Sequence, residues 1–135
     1  MKIMSQFSEE IKRMAWNKAN SIDGLDSNLF RKDPCGALIV WDKYGAIENE
    51  YGWEIDHIIP RSLLEEKGIA AEKIDAPQNL RAMHHKNNLS KADNYPTYLS
   101  AVTSNSEGVN VENREVIVVN AKVRERLNNF YGLQL

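Results

Sequence analysis

The sequence is short of cysteine, of long apolar runs and of excess positive charge, and each shortage closes off a class of protein. Cys35 is the single cysteine, so neither an internal disulfide nor a CxxC pair is available. A zinc knuckle or zinc ribbon is excluded on ligand count. No apolar stretch approaches the roughly 20 residues that a membrane-spanning helix needs. Met1 to Glu10 holds no apolar leader core and carries two glutamates, so the expectation is a cytoplasmic protein without a membrane partner. Lys and Arg number 17 against 19 Asp and Glu, a formal net charge of -2. That balance argues against holding nucleic acid by bulk positive charge. It leaves room for an enzyme that touches few phosphates and brings a divalent cation to its site. The remainder is an ordinary globular mix, 42% hydrophobic and 27% charged, over 135 residues. That length suits one domain, residues 1–135, with one modest core.

Periodicity divides the chain. Phe7, Ile11, Met14 and Ala15 fall on one helical face, and Ser8 followed by Glu9 and Glu10 suits a helix start. Asn20 to Asn28 reads as a polar connector. Ala37 to Trp41 reads as a strand that ends at a turn. Trp53 to Ile59 alternates, with Trp53, Ile55 and His57 facing one way and Glu54, Asp56 and Ile58 the other. Pro60 ends it. Ser62-Leu63-Leu64-Glu65 reads as a capping box that opens a short helix. A turn at Pro77-Gln78-Asn79 precedes a short strand, Leu80 to Met83. His84 to Ala92 then reads as a helix. Tyr98 to Thr103 and Arg114 to Val119 read as a hairpin pair. A last helix carries Val123, Leu127, Phe130 and Tyr131 on its apolar face, capped by Asn120 and closed by Gly132.

The polar residues of Trp53 to Ala92 carry the chemistry. A carboxylate beside an imidazole, Asp56-His57, is costly inside a strand unless both groups find partners. Asn79, His84, Asn87 and Asn88 follow. A spacing of four would put His84 and Asn88 on one helix face. Hard cations such as Mg²⁺ prefer oxygen ligands, and the Asp56 carboxylate and Asn88 amide would supply two. An imidazole takes a proton from water near neutral pH, which suits His57 to a general base. The Asn79 amide would either orient that imidazole or pin its loop.

The segments GWEIDHIIPRS and NLRAMHHKNNLSKAD resemble the HNH endonuclease superfamily, including the HNH domains of RNA-guided DNA nucleases. The motif core covers residues 52–93. Asp56-His57 matches the paired first-strand residues, Asn79-Leu80 the central Asn-Leu, and Asn88 the final metal-binding position. The resemblance implies an α+β fold with a ββα-metal (His-Me finger) core, flanked by the N-terminal helix and the C-terminal hairpin and helix. It implies Asp56 and Asn88 as ligands for Mg²⁺ or Mn²⁺, His57 as the base and Asn79 as a structural asparagine. The implied activity is phosphodiester hydrolysis in DNA that leaves 5′-phosphate ends. Many relatives carry zinc-binding CxxC pairs. His84 and Asn87 stand where the second pair would be, so no structural zinc is expected. His84 is then either a further ligand of the catalytic metal or a core histidine. Arg61, Arg81, Lys86 and Lys91 flank the motif, as phosphate contacts or as solvated surface charge. A concerted double-strand cut would need a homodimer. The alternative function is a catalytically silent nucleic-acid-binding module built on the same finger.

Overall fold

The computed structural model describes residues 7–135. The part of the leader reading that rests on residues 1–6 lies outside them. The fold mixes α and β. Helix α1 (Glu9–Asn17) starts where Ser8 Oγ accepts the Ile11 N–H at 3.1 Å, and it buries Ala15 and Trp16. Strands β1 (Asn20–Ser21), β2 (Phe30–Lys32) and β3 (Leu38–Val40) form a small antiparallel sheet. The expected polar connector thus begins with an edge strand, because Asn20 and Ser21 pair with Lys32 and Arg31.

Strands β4 (Trp53–His57) and β5 (Leu80–His84) make the central hairpin, with Asp56 opposite Arg81 and His57 opposite Leu80. Two short helices, α2 (Arg61–Glu66) and α3 (Ala71–Ile74), occupy its long connection. The expected capping box at Ser62 does not form. Helix α2 begins two residues earlier than that box requires, after Pro60, and no side chain caps it. Helix α4 (His85–Lys91) follows β5 directly and packs against the hairpin. The C-terminal region holds two ladders, not one hairpin pair. Strands β6 (Thr97–Leu99) and β9 (Val116–Val118) form the outer ladder, β7 (Val102–Ser104) and β8 (Asn110–Glu112) the inner. Helix α5 (Ala121–Tyr131) closes the chain, capped by Asn120 Oδ1 on the Lys122 N–H and ended by Gly132 at φ 68°.

The hairpin is a wall between two apolar cores, as alternation requires of a strand pair covered on both faces. On one side Trp53, Ile55, Leu80 and Ala82 pack with Trp16 of α1 and Ile39 of β3. On the other, Ile58 and Met83 join Tyr98, Val119 and Leu127. Gly52 lets the preceding loop close on this wall, since a Cβ there would lie 2.0 Å from the Ala46 carbonyl oxygen. Among the described residues no helix is long and apolar enough to cross a membrane.

Buried Asp33 ties these parts together. Oδ1 accepts the Cys35 and Ala37 N–H groups, both at 2.9 Å. Oδ2 accepts the His84 N–H and the Asn87 amide, both at 3.0 Å. Burial pushes its pKa up, and the four donors oppose that push. Asparagine at this position presents an NH₂ group to two of those donors. The expected outcome for Asp33→Asn is a loss of about 3 kcal/mol, read from urea unfolding, given that buried polar groups left unsatisfied cost about 1–3 kcal/mol each. A loss under about 1 kcal/mol would contradict this role.

Candidate active site

Two clusters grow from the C-terminal half of β4, one on each face. Asp56 points towards α4 and is 4% exposed. Its Oδ2 accepts Arg81 Nε at 2.9 Å, and its Oδ1 lies 3.3 Å from Lys91 Nζ. The Lys91 ammonium also donates to the His57 carbonyl at 3.0 Å. The two cations respond differently to this setting. Burial opposes the charge of both. For Lys91 burial prevails and the pKa falls. For Arg81 the nearby Asp56 overcomes burial and the pKa rises. Arg81 is therefore the firmer partner. Glu54, two residues back on the same face, is half-buried, and its Oε1 accepts the Asn88 amide at 3.1 Å.

His57 projects from the opposite face. Its Nε2 is 2.7 Å from Asp75 Oδ1, and its ring lies 6.3 Å from that of Phe7. Asp75 also accepts Arg61 Nη2 at 2.5 Å. Among the described residues His57 Nδ1 has no hydrogen-bond partner, so it is placed to take a proton while the carboxylate holds the ring.

Asn79 is fully buried and holds the exit from β4. Its Oδ1 accepts the Ile59 N–H at 2.8 Å, and its Nδ2 donates to the carbonyls of Ile59 and Ile74 at 3.0 and 3.3 Å. Of the two roles open to it, the structure gives the pinning one. His57 sits two residues before the pinned segment, which sets where its imidazole leaves the strand.

His84 does not join either cluster. It is the last residue of β5, and its ring caps α4 by accepting the Lys86 N–H at Nδ1. It therefore shares no helix face with Asn88. Its Nε2–H donates to the Glu50 carbonyl at 2.7 Å, so both ring nitrogens are engaged. Burial lowers its pKa to about 4. Lys91 and Arg81, read as phosphate contacts or as solvated surface charge, are neither free nor solvated and spend their charges on Asp56. The Lys91 side chain is only 1% exposed. Lys86 is exposed and Arg61 half-exposed, so those two remain available to a phosphate.

Sequence reading missed Asp75 and Glu54. For Glu54 the signal was present, since strand alternation already set it on the face of Asp56. Asp75 lies in a connection with no periodicity, and nothing in its spacing points to His57.

The donor set can be tested against a hard cation. Among the described residues no three His, Cys, Asp or Glu side chains stand close enough together to hold a metal ion. At the half-exposed rim the Glu54 carboxylate faces the Asn88 NH₂ group, so the Asn88 amide would have to turn before its oxygen could share a cation with Glu54. A hard cation such as Mg²⁺ takes one or two carboxylates and fills its remaining positions with water and substrate phosphate.

Two outcomes are expected. Asp56→Ala leaves Arg81 and Lys91 without a counter-charge in the interior, where broken buried pairs cost about 3–5 kcal/mol. Denaturant unfolding reads this, and a loss within about 1 kcal/mol would show that the cations relax into solvent. The second concerns acid. An unfolded His84 takes up a proton near the ordinary value of about 6.5, but the folded ring does so only near about 4. Between those values the unfolded chain binds the extra proton, so stability falls as the pH drops from about 6.5 towards 4. The slope from one such group is at most about 1.4 kcal/mol per pH unit. His84→Gln should flatten that limb of a pH–stability curve, and an unchanged limb would assign the effect elsewhere.

Set against protein-family models, curated proteins and solved structures, the chain matches none of them.

Proposed function

We propose that this chain is a divalent-cation-dependent endonuclease of the HNH type that hydrolyses phosphodiester bonds in DNA, with His57 as its general base. The observation that carries the reading is the His57–Asp75 couple at the exit of β4. An imidazole held by a carboxylate stands there, with a nitrogen that has no partner among the described residues, on a strand whose other face presents Glu54 and Asp56 towards Asn88 of α4. The order strand, connection, strand, helix and the pinning Asn79 support the same reading.

The two faces divide the work. In an in-line displacement the attacking and leaving oxygens lie on opposite sides of phosphorus. A phosphodiester that crosses the C-terminal end of β4 would meet His57 on one side and the oxygen rim on the other. His57 takes the proton of the attacking water at Nδ1, and Asp75 stabilises the imidazolium that forms. Arg61, anchored on Asp75, supplies a cation to a non-bridging phosphate oxygen. Asn88 and Glu54 would hold the divalent cation. Asp56 Oδ1 would join them by exchanging its looser partner, Lys91. Bound there, the cation would neutralise charge on the leaving 3′ oxygen, which yields 5′-phosphate ends. His84 has no part in this scheme.

A second reading, a silent nucleic-acid-binding module, is favoured by one observation. Both Asp56 oxygens already face cations, so the carboxylate is neutralised without a metal.

Nicking of supercoiled plasmid decides between them. With Mg²⁺ or Mn²⁺ the wild type should nick, and EDTA should abolish it. His57→Ala should lose about 10²–10⁴-fold, the usual size of a general-base contribution. Asp75→Asn should lose less. Cleavage that is equal in wild type and His57→Ala would sink the mechanism. Retarded migration of DNA without cleavage in any metal would establish the binding module.

A further inference from the structure

A second feature adjoins the Asp56 cluster through Arg81 and faces a different side of the fold from Glu54 and Asn88. A cleft opens between the C-terminal end of α1, the outer edge of β5, the β6–β9 ladder and α5, with a volume of about 570 Å³. Small-molecule sites commonly span about 300–1,000 Å³. Its walls are of two kinds. Tyr98, Val119 and Val123 form an apolar side, while Lys18, Arg81 and Arg126 bring three cations, and no Asp or Glu lines the space.

Arg81 is neutralised by Asp56. Lys18 and Arg126 are not comparably matched, because among the described residues neither has a carboxylate within ion-pair distance. The Lys18 ammonium is docked on the carbonyls of Pro77 and Leu80, the latter at 2.7 Å, so carbonyl dipoles hold it in place. Burial and the charges of Arg126 and Arg81 bring its pKa down to about 8. It is still protonated at neutral pH, beside like charges and without a counter-ion. An anion in the cleft would relieve that repulsion, and a guanidinium beside an ammonium suits the several oxygens of a phosphate.

We propose that this cleft binds a phosphomonoester carried on a planar or apolar body, with Lys18 and Arg126 taking the phosphate and Tyr98, Val119 and Val123 packing against the body. A 5′-nucleotide has that chemistry, either free or at the 5′ end of a strand. The proposal stands on the cleft and its charges, independent of the nuclease reading.

Titration calorimetry in EDTA tests it, so that neither a divalent metal nor cleavage enters. The probes are adenosine 5′-monophosphate, adenosine, inorganic phosphate, and a short oligonucleotide with and without a 5′-phosphate. Adenosine monophosphate should bind at least about tenfold more tightly than adenosine, because the charge-assisted bonds are lost without the phosphate. It should also bind more tightly than inorganic phosphate, which lacks the body. Arg126→Gln and Lys18→Met should each weaken it by about tenfold or more. Arg126 is exposed, so its variant should keep the wild-type circular dichroism. Affinity should fall from pH 7 to pH 9 as Lys18 loses its proton. Preferential binding of the 5′-phosphorylated strand would identify a strand end as the source, and preferential binding of the monophosphate a free nucleotide. Equal affinity for adenosine and its monophosphate, no binding of any probe, or a well-folded Arg126→Gln that binds like wild type would overturn the proposal.

Discussion

The structure depends on a buried carboxylate that has no cation beside it among the described residues. Asp33 is 1% exposed and accepts four N–H donors from the β2–β3 turn, the end of β5 and the first turns of α4. Asn87 extends the junction, donating to the Val102 carbonyl at 3.0 Å and accepting the Ala101 and Val102 N–H groups at 2.7 and 2.9 Å. One carboxylate and one amide thus join a turn, a strand, a helix and the inner C-terminal ladder. A chain divided between two small cores gains most from such a bond set where the parts meet. Positions 84 and 87 lie on either side of the junction between β5 and α4. Here Asp33 gathers the backbone of one and the side chain of the other.

The second buried carboxylate is organised differently. Asp56 faces Arg81 across the hairpin and Lys91 from the helix, and the desolvation of three charged groups consumes much of their attraction. What such a cluster does provide is discrimination. A slip of β5 by one residue would take Arg81 to the other face and leave Asp56 without it. A rotation of α4 would bury Lys91 against nothing. The triad therefore selects one register and one helix orientation, and through them the position of the rim.

Much of this was legible from pattern. The alternation expected over Trp53 to Ile59 assigned side chains to faces, and the structure keeps it as far as His57, where β4 ends; Ile58 and Ile59 then enter the same core. Ser8 and Asn120 cap the helices they precede, because their local geometry needs no distant partner. What pattern could not show were the choices made by tertiary contact. Arg81 and Lys91 have the composition of surface residues, and long aliphatic stems let their charges reach an interior acid. Asp33 lies 51 residues from His84 in sequence, and no local rule links them. Pattern put His84 in the helix that runs to Ala92, whereas β5 pairs it with Trp53.

The pair Asn87-Asn88 shows how the fold sorts identical residues. Successive helix positions are turned by about 100°, so two adjacent asparagines cannot share an environment. Asn87 and Lys91 are four apart and both point inward, one to Asp33 and the other to Asp56. Two acids at opposite ends of a seven-residue helix thus fix its rotation about its own axis. With that angle set, Asn88 has one direction left, out along the rim towards Glu54. Two buried carboxylates, neither of which reaches solvent, decide which amide does. The geometry of the rim is a consequence of interior electrostatics, and a substitution at Asp33 or Asp56 acts on the rim through the helix even where the fold survives.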